Sequence, residues 1–535
     1  MDINLKSREN PVVSKLDSPE FKSIFSQEVD DLKKLFDKYG FEIRIAGGAV
    51  RDLLMGLEPK DLDFATTATP QEMKEIFTKE EVRMINTNGE KHGTITPRIN
   101  DKENFEVTTL RIDIVTDGRH AEVRYTTDWK LDANRRDLTI NSMFLVFAWE
   151  IMLRRMCGPV KEGEQWRIRH NAELYDIYKA PSISAHMRLL RLRWAGHVQR
   201  MPDTRVPKRI LTGHPGGKRK VRRLRLRWED EVRGDAAQLL QVPNWKSAAE
   251  DRMRFDGSIY DYFFGYEDLL AKRVVFVGDA GVRIKEDYLR ILRYFRFYGR
   301  IAEKPDNHDN LTLEIINQNV CGLERISGER IWMELKKTLE GNFAGDLLKT
   351  MLHVGIGQYA GLPQHPNMSE LERVWEMSKQ RGVKLQPVTL LSSLLSDMDH
   401  VNQLHGRLKM SSYDRDLAYF LMQHRDENDL ISTMLLNTFL KPHVTREYII
   451  ELLKYTNQLD LMEQFKEWEV PKFCITGRTL SDRGVAVKQL YGDVLRRLKE
   501  YWADRNFDVP EEELVKLIPD MYSLALKEKQ TKKRT

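Results

Sequence analysis

Residues 41 to 67, FEIRIAGGAVRDLLMGLEPKDLDFATT, confine the start of this chain to a strand, a glycine turn, a helix and a second strand. Ile43 and Ile45 alternate with polar neighbours up to Gly47 and Gly48, and Ala49 to Met55 then carries apolar residues at helical spacing. A helix that starts directly after two residues without Cβ exposes backbone amides suited to an anion, and Arg51, one turn in, adds charge for phosphate oxygens. By itself a Gly-Gly pair is equally a structural turn. Asp61 and Asp63 on the second strand shift the reading, because side chains two apart on a strand project to one face. Two carboxylates aimed at one spot repel unless a cation sits between them, and hard oxygen ligands suit Mg²⁺, which is carried in with substrate phosphates. Alone, Asp-x-Asp is a solvated turn; after a phosphate-binding turn it reads as a metal site.

GGAVRDLLMG followed by DLDFATTATP resembles the head-domain signature of the class II tRNA nucleotidyltransferases, the CCA-adding enzymes of the polymerase-β-like superfamily, and most of all their animal branch. The resemblance implies an α+β fold, with a nucleotidyltransferase head of mixed sheet and helices followed by an all-α neck, body and tail that hold tRNA. It implies transfer of CMP, CMP and AMP from CTP and ATP to a tRNA 3′ end, with Mg²⁺ on Asp61 and Asp63. Sites of this type use a third acid on a neighbouring strand to deprotonate or orient the attacking hydroxyl. Phe105 to Arg111 alternates as a strand, which makes Glu106 the candidate; a glutamate facing water is the plain alternative, and Asp113 competes. The run 116–129, TDGRHAEVRYTTDW, resembles a loop that stabilises the family's head, and 133–145, ANRRDLTINSMFL, resembles its ribose-reading motif. That likeness implies Asp137 for the ribose hydroxyls and Arg136 for the triphosphate.

Around this centre, Phe21 to Tyr39 reads as one helix, Pro70 to Phe77 as a helix entered through Thr69, and Arg83 to Thr96 as a hairpin or loop in which His92 is a loop residue. From Phe276 the pattern turns helical. In GVRIKEDYLRILRYFRFYGRI, Asp287 and Arg290 stand three apart, which puts them on one helix face, with Leu289, Leu292 and Phe295 on another. Such a pair is ordinarily a surface ion pair. Chemically it also matches cytosine and adenine, which both present an amino donor beside a ring-nitrogen acceptor; guanine and uracil reverse that pattern. It resembles the EDxxR motif with which the family replaces a nucleic-acid template, and Arg293 and Arg296 would add phosphate or base contacts. The stretches 328–337, 387–397 and 448–468 continue the helical pattern, and the terminal KEKQTKKRT reads as a disordered basic tail.

Between Phe147 and Asp256 the family pattern stops and resumes without loss. Joined directly, the flanks give two alternating runs meeting at Asp-Gly, a hairpin signal. The segment 148–255 holds 24 Lys and Arg against 12 Asp and Glu, and five of the chain's ten tryptophans, although the formal net charge of the whole is only +5. Its LRLRW runs around Trp194 and Trp228 resemble the C-terminal tail of a non-LTR retrotransposon reverse transcriptase, without the catalytic carboxylates of such an enzyme. Basic stretches with interleaved aromatics suit nucleic acid; the bland reading is a passenger insertion. The expected organisation is head 1–147, insertion 148–255, end of head 256–275, neck with the nucleotide-selecting helix 276–345, and helical body and tail 346–535.

Two other functions compete: a poly(A) polymerase of the same superfamily, which would ignore CTP, and an RNA-binding protein whose head the insertion has disabled. Three scattered cysteines exclude a disulfide framework, and no apolar run is long enough to span a membrane. The mixed-charge opening, MDINLKSRENPVVSKLDSPE, lacks transit-peptide character, so cytoplasm or nucleus is expected, with mitochondria reached through an alternative start.

Overall fold

A computed structural model describes residues 7–8, 10–86, 89–90, 93–116, 121–146, 160–162, 165–167, 198, 232–234, 257–427, 445–469, 471–505 and 507–532. The chain divides into two units, Met1–Asp287 and Tyr288–Thr535. The boundary falls inside the segment read from sequence as the neck.

The first unit begins with β1 (Val12–Lys15), α1 (Pro19–Ser23), α2 (Gln27–Lys38), β2 (Ile43–Ala46), α3 (Gly48–Leu54), β3 (Asp63–Thr66) and α4 (Pro70–Lys79). It continues with β4 (Arg83–Asn86), β5 (Thr94–Ile99), β6 (Glu103–Asn104), β7 (Glu106–Thr109), β8 (Arg111–Thr116), β9 (Ala121–Tyr125), α5 (Trp129–Asn134), a 3-10 turn (Thr139–Asn141) and β10 (Phe144–Leu145). After β11 (Val160–Glu162) and β12 (Gln165–Arg167) come β13 (Ser258–Tyr260), α6 (Gly265–Leu270) and α7 (Ala280–Glu286). A nine-stranded sheet runs β1-β13-β10-β2-β3-β7-β5-β4, with β6 added on β5. Only β3 and β7 within it are parallel, so the sheet is mixed as expected.

The single helix expected over 21–39 is two, because serines restart it. Ser18 accepts from Phe21 N–H and Ser26 from Val29 N–H, each at 3.2 Å, and a serine that caps a new helix ends the old one. Thr69 begins α4 as expected, in a capping box: Glu72 N–H donates to Thr69 Oγ1 at 3.3 Å and Thr69 N–H to Glu72 Oε2 at 2.8 Å. The hairpin over 83–96 is present as antiparallel β4 and β5; His92 lies outside the described residues.

Strands on either side of the inserted segment are neighbours. β10 and β13 pair antiparallel with Phe144 opposite Tyr260 and Leu145 opposite Ile259, and Val146 N–H donates to Ser258 O at 3.1 Å. The buried cluster beneath them draws on both flanks: Ala46, Trp129, Phe144 and Val146 pack with Tyr260, Phe263 and Val277, the Trp129 and Phe144 rings meeting edge to face at 5.0 Å. Of the segment 148–255 the ribbon β11–β12 is described; most of the rest, with the LRLRW runs, lies outside the described residues.

In the second unit every regular element among the described residues is helical, starting with α8 (Arg290–Ile301). The stretch 448–468 breaks into Arg446–Tyr455 and Leu459–Glu467, with Asn457 between them at φ 60°, a conformation asparagine tolerates and a helix does not. Likewise 387–397 is helical only to Ser392. Instead of a disordered tail, the helix Ile518–Lys532 runs through most of KEKQTKKRT. Its start packs Ile518 against Leu480, Val494, Leu498 and Leu514, and that apolar anchor lets the helix propagate into charged sequence.

Candidate active site

The glycine turn forms as the spacing predicts, and the sheet supplies the reason. All four residues of β2 are buried, so the chain must turn sharply at its end to start α3. Gly47 takes φ 66° and ψ −119°, open only to glycine, and its N–H donates to Met143 O at 3.1 Å. That amide is therefore engaged within the protein. A Cβ on Gly47 would lie 2.9 Å from Arg136 Nη1 and 3.5 Å from Asn141 O, so the absent side chain admits a guanidinium. Gly47→Ala is expected to cost on the order of 1–3 kcal/mol through backbone strain and to push Arg136 aside. Thermal melts paired with nucleotide KM values check it; an unchanged KM would show that the turn tolerates the methyl.

Arg51 lies at the turn, its Nη2 3.6 Å from where a Cβ on Gly48 would stand, but it is enclosed and already partnered rather than open. It is 3% exposed, its Nε and Nη2 donating to Asp52 Oδ1 at 3.0 and 2.8 Å and its Nη1 to Asn141 Oδ1 at 2.5 Å. A buried guanidinium needs such partners, and here they tie α3 to the 3-10 turn.

Asp61 also departs from its expected position. It lies in a bend before β3, which begins at Asp63, so the two acids are not on one regular strand. They are still electrostatic neighbours. Burial first, then Glu106, then Asp61 raises the Asp63 carboxyl above its usual range, with Arg136 opposing. Glu106 opens β7 directly opposite Asp63 in the parallel ladder, the register that puts both side chains on one face. Asp113 belongs instead to the β8–β9 ribbon, with Arg111 Nε at 3.5 Å from its Oδ1. The register thus favours Glu106 over Asp113. Among the described residues no three acidic, histidine or cysteine side chains form a ready metal cage. Two or three hard carboxylates that repel one another still fit Mg²⁺, which completes its shell with water and substrate phosphate.

Arg136 and Asp137 follow α5 rather than riding on it. Asp137 is 8% exposed; its Oδ1 accepts from Leu138 N–H at 2.8 Å and Asn141 Nδ2 at 3.4 Å, and its carbonyl from Val277 N–H at 3.0 Å. Arg136 is held by Asp132, a residue the motif reading passed over although its i,i+4 spacing to Arg136 was legible. Burial alone would raise the Asp132 carboxyl, but Arg135 and Arg136 outweigh it and hold it below the usual range. Burial and then Arg135 pull nearby Arg111 down to about 10. Asn141, equally unmarked in sequence, meets Arg51, Arg136 and Asp137. Residues beyond the insertion brace it: Asp268 accepts from Thr139 Oγ1 at 2.8 Å, and a Cβ on Gly265 would lie 2.1 Å from Thr139 O.

Asp287 and Arg290 do not share a helix. Asp287 ends α7 in extended conformation at φ −151°, whereas Arg290 is the first residue of α8, because the intervening residues form a turn. Along α8, Leu292 and Phe295 are fully buried and Leu289 nearly so, as the periodicity predicts. Arg296 donates from Nη1 to both oxygens of Glu334 at 3.1 Å and lies 4.8 Å from the Phe297 ring; Arg293 lies 5.5 Å from the same ring. Arg296 is thus a packing arginine here rather than an open phosphate contact.

Residues 43–158 match the family described as "Poly A polymerase head domain", and residues 309–365 match "Probable RNA and SrmB- binding site of polymerase A". The chain is 38% identical over 510 residues to "CCA tRNA nucleotidyltransferase 1, mitochondrial" of Danio rerio, covering 94% of this chain and 92% of the relative. The protein of the same name from Homo sapiens is 38% identical over 516 residues, with the same coverage. Among solved structures, the Bacillus stearothermophilus CCA-adding enzyme in complex with CTP shares the fold with a TM-score of 0.56 at 19% identity, covering 97% of this chain and 100% of that one. An identity of 38% across nearly the full length of both chains goes beyond a shared fold, and this chain belongs to the CCA tRNA nucleotidyltransferases.

Proposed function

We propose that this protein adds C, C and A to the 3′ end of tRNA without a nucleic-acid template, taking CTP and ATP and releasing pyrophosphate. The observation that carries the chemistry is the parallel register of Asp63 and Glu106, with Asp61 close enough to act on Asp63 and Arg136 over the glycine turn. Members of the family use divalent metal; we assign Mg²⁺ to Asp61 and Asp63. Bound there, it would stabilise charge on the transferred phosphoryl group and acidify the attacking hydroxyl. Glu106 orients or deprotonates the tRNA 3′-hydroxyl. The Gly47–Gly48 turn and Arg136 hold the triphosphate, with Asp137 on the ribose. Because both family matches are named for polymerase A, CTP use is the deciding property, and relatives that match over the whole length favour it.

For base choice we assign Asp287 as acceptor and Arg290 as donor, on the EDxxR pattern and the donor and acceptor chemistry of C and A. Asp287→Ala or Arg290→Ala is expected to erode discrimination against UTP and GTP more than it weakens triphosphate binding. Removing a matched polar partner can relax discrimination by up to about 10⁴-fold. Competition assays with all four nucleotides on tRNA lacking its CCA end test both claims: incorporation of A alone would favour a poly(A) polymerase, and intact C and A preference in both variants would remove the assigned readers.

Among the described residues no helix is long and apolar enough to cross a membrane. We infer mitochondria as one location, which the mitochondrial names of the relatives support.

A further inference from the structure

Asp132, on α5, is 1% exposed and divides its two oxygens between two arginines. Its Oδ1 accepts from Arg135 Nε at 2.9 Å and Nη2 at 2.8 Å, and from Arg111 N–H at 3.2 Å. Its Oδ2 accepts from Arg136 Nε at 3.2 Å and Nη2 at 3.1 Å. Two bonds to one carboxylate fix both the place and the plane of a guanidinium that would otherwise sample many rotamers. Arg136 Nη1 then donates to Asn141 O at 3.2 Å, and the guanidinium lies 4.9 Å from the Phe144 ring. The same Nη1 sits where a Cβ on Gly47 would approach to 2.9 Å. Three of the five N–H groups of Arg136 are thereby used; the other two have no partner among the described residues.

We propose that Asp132 is a positioning residue for nucleotide binding: it holds the Arg136 guanidinium over the Gly47–Gly48 turn, so that the remaining N–H groups meet the triphosphate of either substrate. The proposal rests on the reading of that turn as the triphosphate site. A role confined to folding, through the Arg111 amide and the Arg135 pair, would lower the melting temperature and leave nucleotide KM alone. Positioning has a different signature. It is blind to the base, because phosphate is what Arg136 meets, and it vanishes when Arg136 is gone.

Steady-state addition to tRNA, with thermal melts, is compared for the full chain and for Asp132→Asn, Arg136→Ala and the double variant. Asp132→Asn should raise the KM for CTP and for ATP by the same factor, about tenfold for one charge-assisted contact, with a smaller change in kcat. In the Arg136→Ala background it should raise KM no further. Unchanged KM in Asp132→Asn beside a raised KM in Arg136→Ala would overturn the positioning role while leaving the site intact. Unchanged KM in Arg136→Ala would instead take down the reading of the turn, and this proposal with it. If Asp132→Asn does not fold, Asp132→Asn with Arg135→Gln removes one charge of each sign, and the same KM comparison decides.

Discussion

Asp63→Ala and Asp63→Asn are expected to reduce addition of both C and A by roughly 10³-fold or more. The metal interaction supplies several kcal/mol of transition-state stabilisation, and each ~1.4 kcal/mol is tenfold in rate. Asp61→Ala should behave the same way, and tRNA affinity should stay near that of the full chain in all three. Stability should move the other way for Asp63→Asn. Its carboxyl is held above the usual range by burial, then by Glu106 and Asp61, so the folded state binds that proton more tightly than the unfolded chain does. Above the folded-state pKa the ionised group therefore opposes folding, and a neutral amide of similar shape leaves the melting temperature unchanged or raises it. Single-turnover assays beside calorimetric melts check both directions. Near-normal turnover in either aspartate variant would end the metal assignment.

Deleting Ala148 to Phe255 is expected to yield a soluble enzyme at least as active as the full chain. The strands that flank the deletion already pair, and Val146 N–H already meets Ser258 O at 3.1 Å. Joining Phe147 to Asp256 would leave a three-residue connection ending in Gly257, which already has φ 64°, the left-handed value such hairpin loops place at their last position. Shortening the excursion removes roughly five doublings of loop length at about 0.6 kcal/mol each, so stability should rise by up to about 3 kcal/mol. Should the segment be a nucleic-acid clamp, the opposite follows. Without its excess of basic residues the protein would bind tRNA more weakly, and the salt dependence would flatten by about one unit of slope for each phosphate no longer neutralised. Titration of both proteins with tRNA at two salt concentrations separates these outcomes, and much weaker binding by the deleted form at low salt would refute the passenger reading.

Much of the head was legible because its signals are local. Ile43 and Ile45 alternating into Gly47–Gly48 mark the strand, the turn and the helix, and Thr69 marks the start of α4, since strand period, positive φ and capping each depend on a few adjacent residues. Where helices break was less legible. Ser26 and Asn457 sit within apolar patterns that continue past them, and whether a serine caps a new helix or rides on an old one depends on what the flanking turns pack against.

Sequence alone determined the fold class and nominated the two aspartates, Glu106 and the interruption after Phe147 as candidates, because spacing and motif carry those signals directly. Only the tertiary structure favoured Glu106 over Asp113, since parallel pairing of β3 with β7 joins residues distant in the chain. It alone showed Arg51 and Arg296 in buried or half-buried ion pairs, because an arginine's partner is chosen by what the fold brings within reach. It also drew Asp132 and Asn141 into the site, by bringing α5 and the 3-10 turn against a glycine whose missing side chain leaves room for a guanidinium.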